Sequence, residues 1–364
     1  MYVNDPTVLP TTWTSDAVLA GFTSWAPSQL SIQGASLTLP AAASLNVGGD
    51  LSLLNGRLTL TGGSLNTGGD LTLTSSTLNA NRGTGGTPSL SVSGDLLMTA
   101  GVLNLAARDA ETRLVTIGGQ LALASNSWIH PSSDGTTGGV LRIVTNGMTI
   151  SGDSGVDANG RGFAGGASGT AGSGPGAGGA GGYGGGAGYG GAGASAPWSG
   201  GAGGGTYGSE LSPTLPGSGG GAGVAGGAGG GLIWIDSMGG AVSLDGLLSA
   251  NGLAGQGASG GGSGGGSGGG ILLIAQSLAG TGSLTANGGA GGEWGGGGGG
   301  GRISVTTKNV DAWFGTLRVN GAHGGGYTNA DGAAGTLSMQ VIPEPATGAL
   351  VALVGSLLLR RRRA

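Results

Sequence analysis

The chain has 364 residues, of which 94 are glycine and only 8% are charged, where average usage is ~7% glycine and ~25% charge. So little charge excludes the highly charged disordered class, and the absence of cysteine excludes disulfide staples and thiolate metal sites. Net charge is −4, and removing the four arginines near the C-terminus takes −4 to −8, so the body has no basic stripe and nucleic acid is a poor partner.

Residues 1–30 lack both a basic n-region and an apolar h-region, so they do not read as a secretory signal. They read as a lead-in to the repeats. Because the C-terminus, below, implies export, the expectation is a truncated start with the true secretory signal missing.

Residues 31–137 carry a short echo. SLNVGGDLSL, from Ser44, returns as SLNTGGDLTL, from Ser64. Weaker copies follow at VSGDLLM, from Val92, and IGGQLAL, from Ile117. Between them, runs such as Leu71-Thr72-Leu73 alternate apolar and small polar residues, the strand signature. The Gly-Gly-Asp triplets are expected to turn the chain, glycine by reaching positive φ and aspartate by bonding its own backbone. Short strands at a fixed period without a helical pattern predict an all-β solenoid, a parallel β-helix.

Residues 138–341 carry a longer repeat: GGVLRIV…VDANG, GGLIWID…LSANG, GGILLIA…LTANG and GGRISVT…LRVNG. Each unit is strand, turn, strand and a corner at Asn159, Asn251, Asn287 or Asn320. Asn-Gly suits a tight turn with positive φ; a ladder of amides bonding coil to coil is the alternative. After each corner comes glycine-rich chain, the longest being the insertion 161–229. Two readings stand for it: a flexible linker, or extended glycine strands packed closely for want of Cβ atoms. On the first, deletion within 176–205 is tolerated. A polar residue at Leu73 or Leu272 should break the stacking. Tyr183, Tyr189, Trp198 and Tyr207 stand as isolated aromatics, able to stack on sugars or to anchor the chain.

No catalytic set is evident. His130 and His323 lie far apart and outside any zinc spacing. Asp153-Ser154-Gly155-Val156-Asp157 is a single weak echo of a calcium-binding repeat. The lone lysine, Lys308, is in no phosphate loop. Asp134, Asp236, Asp245 and Asp311, with Arg142 and Arg302, could converge as in a β-helical polysaccharide lyase or hydrolase, but their spacing shows no clustering. Neither catalytic nor cofactor-binding residues are assigned, nor a metal site.

Residues 342–364 form a separate tail: Pro343-Glu344-Pro345, an uncharged span 346–359, then Arg360, Arg361, Arg362 and Arg363. The prolines make an extended spacer. Fourteen residues as a helix reach ~21 Å, short of a ~30 Å hydrocarbon core, and the arginines would hold the far end on the cytoplasmic side. Spacer, short apolar helix and arginine cluster, in this order at the C-terminus, resemble the PEP-CTERM sorting signal of Gram-negative bacteria. The resemblance implies a short transmembrane-like helix, export and transient inner-membrane anchoring. It implies cleavage near Pro343-Glu344-Pro345 by an exosortase-type protease-transpeptidase, then release to the cell surface or extracellular matrix in company with exopolysaccharide and biofilm systems. The glycine-rich body resembles, more loosely, the passengers of large bacterial surface proteins. The expected function is therefore a non-enzymatic surface or matrix protein, with the β-helical polysaccharide enzyme as the alternative.

Overall fold

The structure, a computed structural model, describes residues 1–81, 83, 89–107, 112–198, 200–257, 261–326 and 330–342. Among these the chain is all-β, with every ladder parallel and a single 3-10 turn, Pro6–Val8. The expected C-terminal helix lies outside the described residues.

Each early coil has three strands. Ser44–Val47, Leu51–Leu54 and Arg57–Thr61 make one turn; Ser64–Thr67, Leu71–Thr74 and Thr77–Asn81 lie on them in register as the next. The alternation seen in sequence sends every second residue inward, and stacking turns these into columns. On the first face Trp25, Leu45, Leu65, Leu90, Val115, Ile143, Ile235, Leu273, Val305 and Met339 follow one another coil by coil. The second face stacks Trp13, Ile32, Leu53, Leu73, Met98, Leu123, Ile150 and Leu244. The third runs from Leu37 through Leu58, Leu78, Leu103, Ile129, Val156, Leu248 and Leu284 to Leu317. Nearly all are fully buried. A buried leucine contributes ~2 kcal/mol by leaving water, so the columns supply the main stabilisation. Leu73 stands in the second column, whereas Leu272 points outward and is buried outside the core cluster.

The solenoid begins inside the expected lead-in: Thr12–Trp13, Ala17–Val18 and Ser24–Trp25 already form a coil. Its N-terminal end is closed, with Val3, Leu9, Leu19 and Phe22 buried and Trp13 edge-on to Trp25 at 6.4 Å. The other end is more open. In the last strand among the described residues, Thr336–Val341, the column residues Leu337, Met339 and Val341 are exposed.

The corners work differently from the sequence expectation. No glycine of the Gly-Gly-Asp triplets has positive φ. They are glycine because consecutive coils stack so closely that a Cβ on Gly68 would sit 2.1 Å from the Gly48 carbonyl oxygen. Nor does the aspartate bond its own backbone. Asp50 accepts from the Asp70 amide, Asp70 from Asp95 and Asp95 from Gln120, so the carboxylates tie coil to coil. Positive φ falls instead at the next corner, on Asn55, Ser75, Ala100 and Ser125.

The Asn-Gly corners are likewise a ladder. Asn159 Oδ1 accepts from the Asn251 amide at 2.7 Å, Asn251 from Asn287 at 2.7 Å and Asn287 from Asn320 at 2.8 Å. Of the four glycines that follow, only Gly160 has positive φ. The ladder holds although its rungs are 92, 36 and 33 residues apart in sequence.

The long separations are filled by ordered glycine chain, and the linker reading does not survive. Along 184–189 successive amides donate to Gly262, Gly179, Ala194, Gly265, Gly176 and Gly191. Every third residue thus returns to the same neighbour, as the three-residue turn of a polyproline-II-type helix requires. Segment 263–268 repeats this, donating to Gln256, Gly221, Gly296, Leu253, Ser218 and Gly299. Residues 184–187 also accept from Gly296, Gly221, Gly204 and Gly299, so that helix has six neighbours. Such helices have no internal hydrogen bonds, so lateral packing must satisfy every buried amide. A side chain would prevent it: a Cβ on Gly184 would lie 1.9 Å from the Gly221 carbonyl oxygen, and one on Gly264 at 1.8 Å from that of Gly185. The three serines inside the bundle, Ser218, Ser263 and Ser267, are fully buried and use their hydroxyls as further acceptors, for example from Gly176 and Ser218 amides.

Candidate functional site

The four aromatics of the glycine-rich insertion have two different fates. Tyr189 and Tyr207 pack together at 4.6 Å near the base of the bundle. The Arg302 guanidinium lies 5.5 Å over the Tyr189 ring and donates to the Tyr207 carbonyl and to Thr336 Oγ1. Tyr207 donates its hydroxyl to the Pro216 carbonyl at 2.6 Å and accepts from Ser218. Burial pushes both phenols well above the ordinary tyrosine range. This group anchors the bundle to the strand Arg302–Trp313, with Tyr189 and Arg302 buried and Tyr207 half-buried.

Tyr183 and Trp198 instead meet at the opposite end, and Trp294 joins them. Each ring sits where one glycine helix turns into the next. The ring centroids are 5.7 Å apart for Tyr183–Trp198, 6.4 Å for Tyr183–Trp294 and 5.0 Å for Trp198–Trp294. Trp198 is 61% exposed. The backbone beneath is pinned: Gly201 donates to the Tyr183 carbonyl, Gly200 to that of Trp198, and the Trp294 amide to Gly325. Both tryptophans have positive φ, 49° and 64°. Trp294 escaped the sequence reading. Its signal was the setting it shares with Tyr183, one aromatic in a run of glycines.

The acids and bases that a β-helical enzyme would need are employed elsewhere. Arg142 pairs with Asp236 and lies 5.0 Å over the Trp234 ring. Asp245 accepts from the amide and hydroxyl of Thr281, and Asp134 from the amides of Thr136 and Thr137. The Asp311 side chain lies outside what the structure describes. Asp153 accepts from Ser151 and Ser154 hydroxyls, which hold it below the usual carboxylate range, and Asp157 accepts from the Asn159 amide. His130 approaches the Asp157 carbonyl on the third face, while exposed His323 pairs with Asp331, whose carboxyl it lowers. Among the described residues no three His, Asp or Glu side chains gather as a metal site. Pro343, Glu344, Pro345 and Arg360, Arg361, Arg362 and Arg363 lie outside the described residues, and among those described no helix is long and apolar enough to cross a membrane.

A parallel β-helix carrying a glycine-helix bundle with an aromatic tip is thus the class of structure in hand. Over residues 20–109, about a quarter of the chain, it is similar to the haemagglutinin repeat family, and these are the coils with the leucine columns. No curated protein and no solved structure matches the chain.

Proposed function

We propose that this is an exported, non-enzymatic bacterial surface or extracellular-matrix protein, with the solenoid as stalk and the glycine bundle as its lateral head. The observation that carries the reading is the haemagglutinin-repeat match on the leucine-lined coils, since that family name belongs to surface agglutination. The resemblance of the tail to a PEP-CTERM signal supplies the route. Arg360–363 stop transfer, the apolar span parks the chain in the inner membrane, and an exosortase-type protease-transpeptidase cuts near Pro343-Glu344-Pro345. Association with exopolysaccharide or with other cells then follows from the exposed faces. The low charge suits a polymer-rich matrix, where long-range repulsion would hinder close contact.

The test is the intact mass of the mature protein from its native host, together with surface proteolysis of whole cells. A product ending near Pro343-Glu344-Pro345 and accessible to protease is expected. A product retaining Arg360–363 removes the sorting step; one shielded from protease in intact cells removes the surface assignment.

A further inference from the structure

The tip formed by Tyr183, Trp198 and Trp294 is more than an anchor. Trp198 and Trp294 are the only non-glycine residues with positive φ among the described residues of the glycine-rich bundle. A left-handed L-residue costs ~1–2 kcal/mol, and glycine avoids the cost. In a chain with 94 glycines, two turns that glycine would fill without strain hold tryptophan instead. The rings pack on one another and Trp198 is 61% exposed, so the strain holds a contiguous aromatic surface at the tip, in solvent reach, which points to use of that surface. The rings come from turns around residues 183, 198 and 294, assembled only when the bundle forms. From Trp294 the returning helix runs about seven residues to the strand beginning at Arg302, which at ~3.1 Å per residue sets the rings roughly 20 Å above the sheet.

The chemistry of the surroundings narrows the ligand. Nucleic acid would require cations beside the rings. The basic residues of this half, Arg142, Arg161, Arg302, Lys308 and Arg318, are on or beside solenoid strands, and the residue next to Trp294 is Glu293. A quaternary-ammonium cage requires rings spread around a hole; these touch, tilted by 50–61°. A protein interface needs ~20–30 residues a side, and the chain around the rings is mostly glycine, with only a few side chains such as Val224 and Gln256 beside it. What fits three contiguous ring surfaces without cations is the C–H face of uncharged sugar rings. We infer that Tyr183, Trp198 and Trp294 form a stacking platform for a neutral polysaccharide. This deepens the surface reading above and depends on it for access to such a polymer.

The test is affinity electrophoresis of the full chain in native gels containing β-glucan, mannan or dextran, with alginate as the anionic control. Retardation by at least one neutral polymer is expected. Trp198→Gly and Trp294→Gly should weaken it at least tenfold, the scale of a lost stacking partner, while the amides of 184–188 and 262–268 keep the parent's exchange protection, which separates loss of the rings from loss of the bundle. Trp198→Phe keeps a ring and should stay within a few-fold of the parent. No retardation by any neutral polymer, retardation by alginate alone, or retardation unchanged in both glycine variants overturns the proposal. A protein that is surface-accessible on cells but binds none of these polymers loses this site while the surface reading stands. One that binds but stays shielded inside cells loses the surface reading while the site stands.

Discussion

The leucine-lined coils and the glycine bundle solve one problem with opposite means. Both must pair every buried amide while stacking chain on chain. The coils do so with flat strands whose inward side chains, such as Leu45, Leu65 and Leu90, fill the space between three sheets. The bundle abolishes the space: its helices approach until carbonyl oxygens occupy the positions that Cβ atoms would take. One region is held chiefly by apolar area removed from water, the other by lateral hydrogen bonds worth ~1 kcal/mol each that water would replace if the helices parted. Hence opposite changes of volume should break them, side-chain carbons removed in the coils and a methyl group added in the bundle.

The largest effect belongs to the coils. Leu73→Ala empties a fully buried position between Leu53 and Met98 and should cost about 3–5 kcal/mol. Hydrogen exchange should rise in the neighbouring coils before the bundle, since a solenoid transmits stability through nearest neighbours. Equal loss of protection in both regions would show that they melt as one.

Next comes Gly184→Ala. Its methyl meets the Gly221 carbonyl and the Gly264 amide, both rigid backbone, so the helices must separate at a cost of about 3 kcal/mol. Amides of 262–269 and 295–301 should lose protection while those of the leucine coils keep theirs. Unchanged protection in the bundle would refute the close packing. The same argument reverses the expected tolerance to deletion within 176–205, which would remove a helix with six neighbours.

Asn251→Ala is smaller. It leaves the Asn287 amide without its acceptor and removes the Nδ2 bonds to Ser249 and Thr285, which should cost about 1–2 kcal/mol, read as a lower Tm of the second half. Smaller still is Gly182→Ala. A Cβ there meets nothing within 4 Å and φ is not positive, so stability should stay within about 0.5 kcal/mol of the parent. Measured beside Gly184→Ala, it separates close packing from a general intolerance of side chains in glycine-rich chain.

The sequence made the coils legible because their order is carried by side chains. The echo of SLNVGGDLSL in SLNTGGDLTL marks a coil of 20 residues, the spacing of the Asn46–Asn66 bond, and alternation marks which residues face inward. The corner at Ser75 and Ala100 was hidden because neither residue type signals positive φ. The bundle was half legible. Its composition permitted close packing, but the three-residue period exists in the hydrogen-bond partners of 184–189 and not in the identity of the residues. The aromatic tip was hidden for a related reason: Tyr183 and Trp294, 111 residues apart in sequence, become neighbours only after the chain between them has been folded into the bundle and coils. The paired reading of Asn159, Asn251, Asn287 and Asn320 as turns or as a ladder could be settled only in space, since Asn-Gly serves both.

The two regions should also part company with pH, at the smallest scale. His130 lies outward on the third face of the coils, half-buried, its Nδ1 3.2 Å from the Asp157 carbonyl and 3.7 Å from the Asp157 carboxylate. Burial disfavours the imidazolium and lowers its pKa below the ordinary 6.5; the carbonyl opposes this, nearby Arg161 adds to it and the Asp157 carboxylate opposes it. The folded chain therefore binds this proton less readily than the unfolded chain. Stability is full above 6.5 and falls as pH drops from there through the folded value. His130→Asn removes the titration, so Tm should decline less between pH 7.5 and 5 in the variant than in the parent. The core of the glycine bundle along 184–188 and 262–269 holds no titrating side chain, and its exchange protection should be level over the same range once intrinsic rates are corrected. A parallel loss there would mean that protonation on the coils reaches the bundle through the strands that carry both, and the separation between the regions would be one of chemistry rather than of cooperativity.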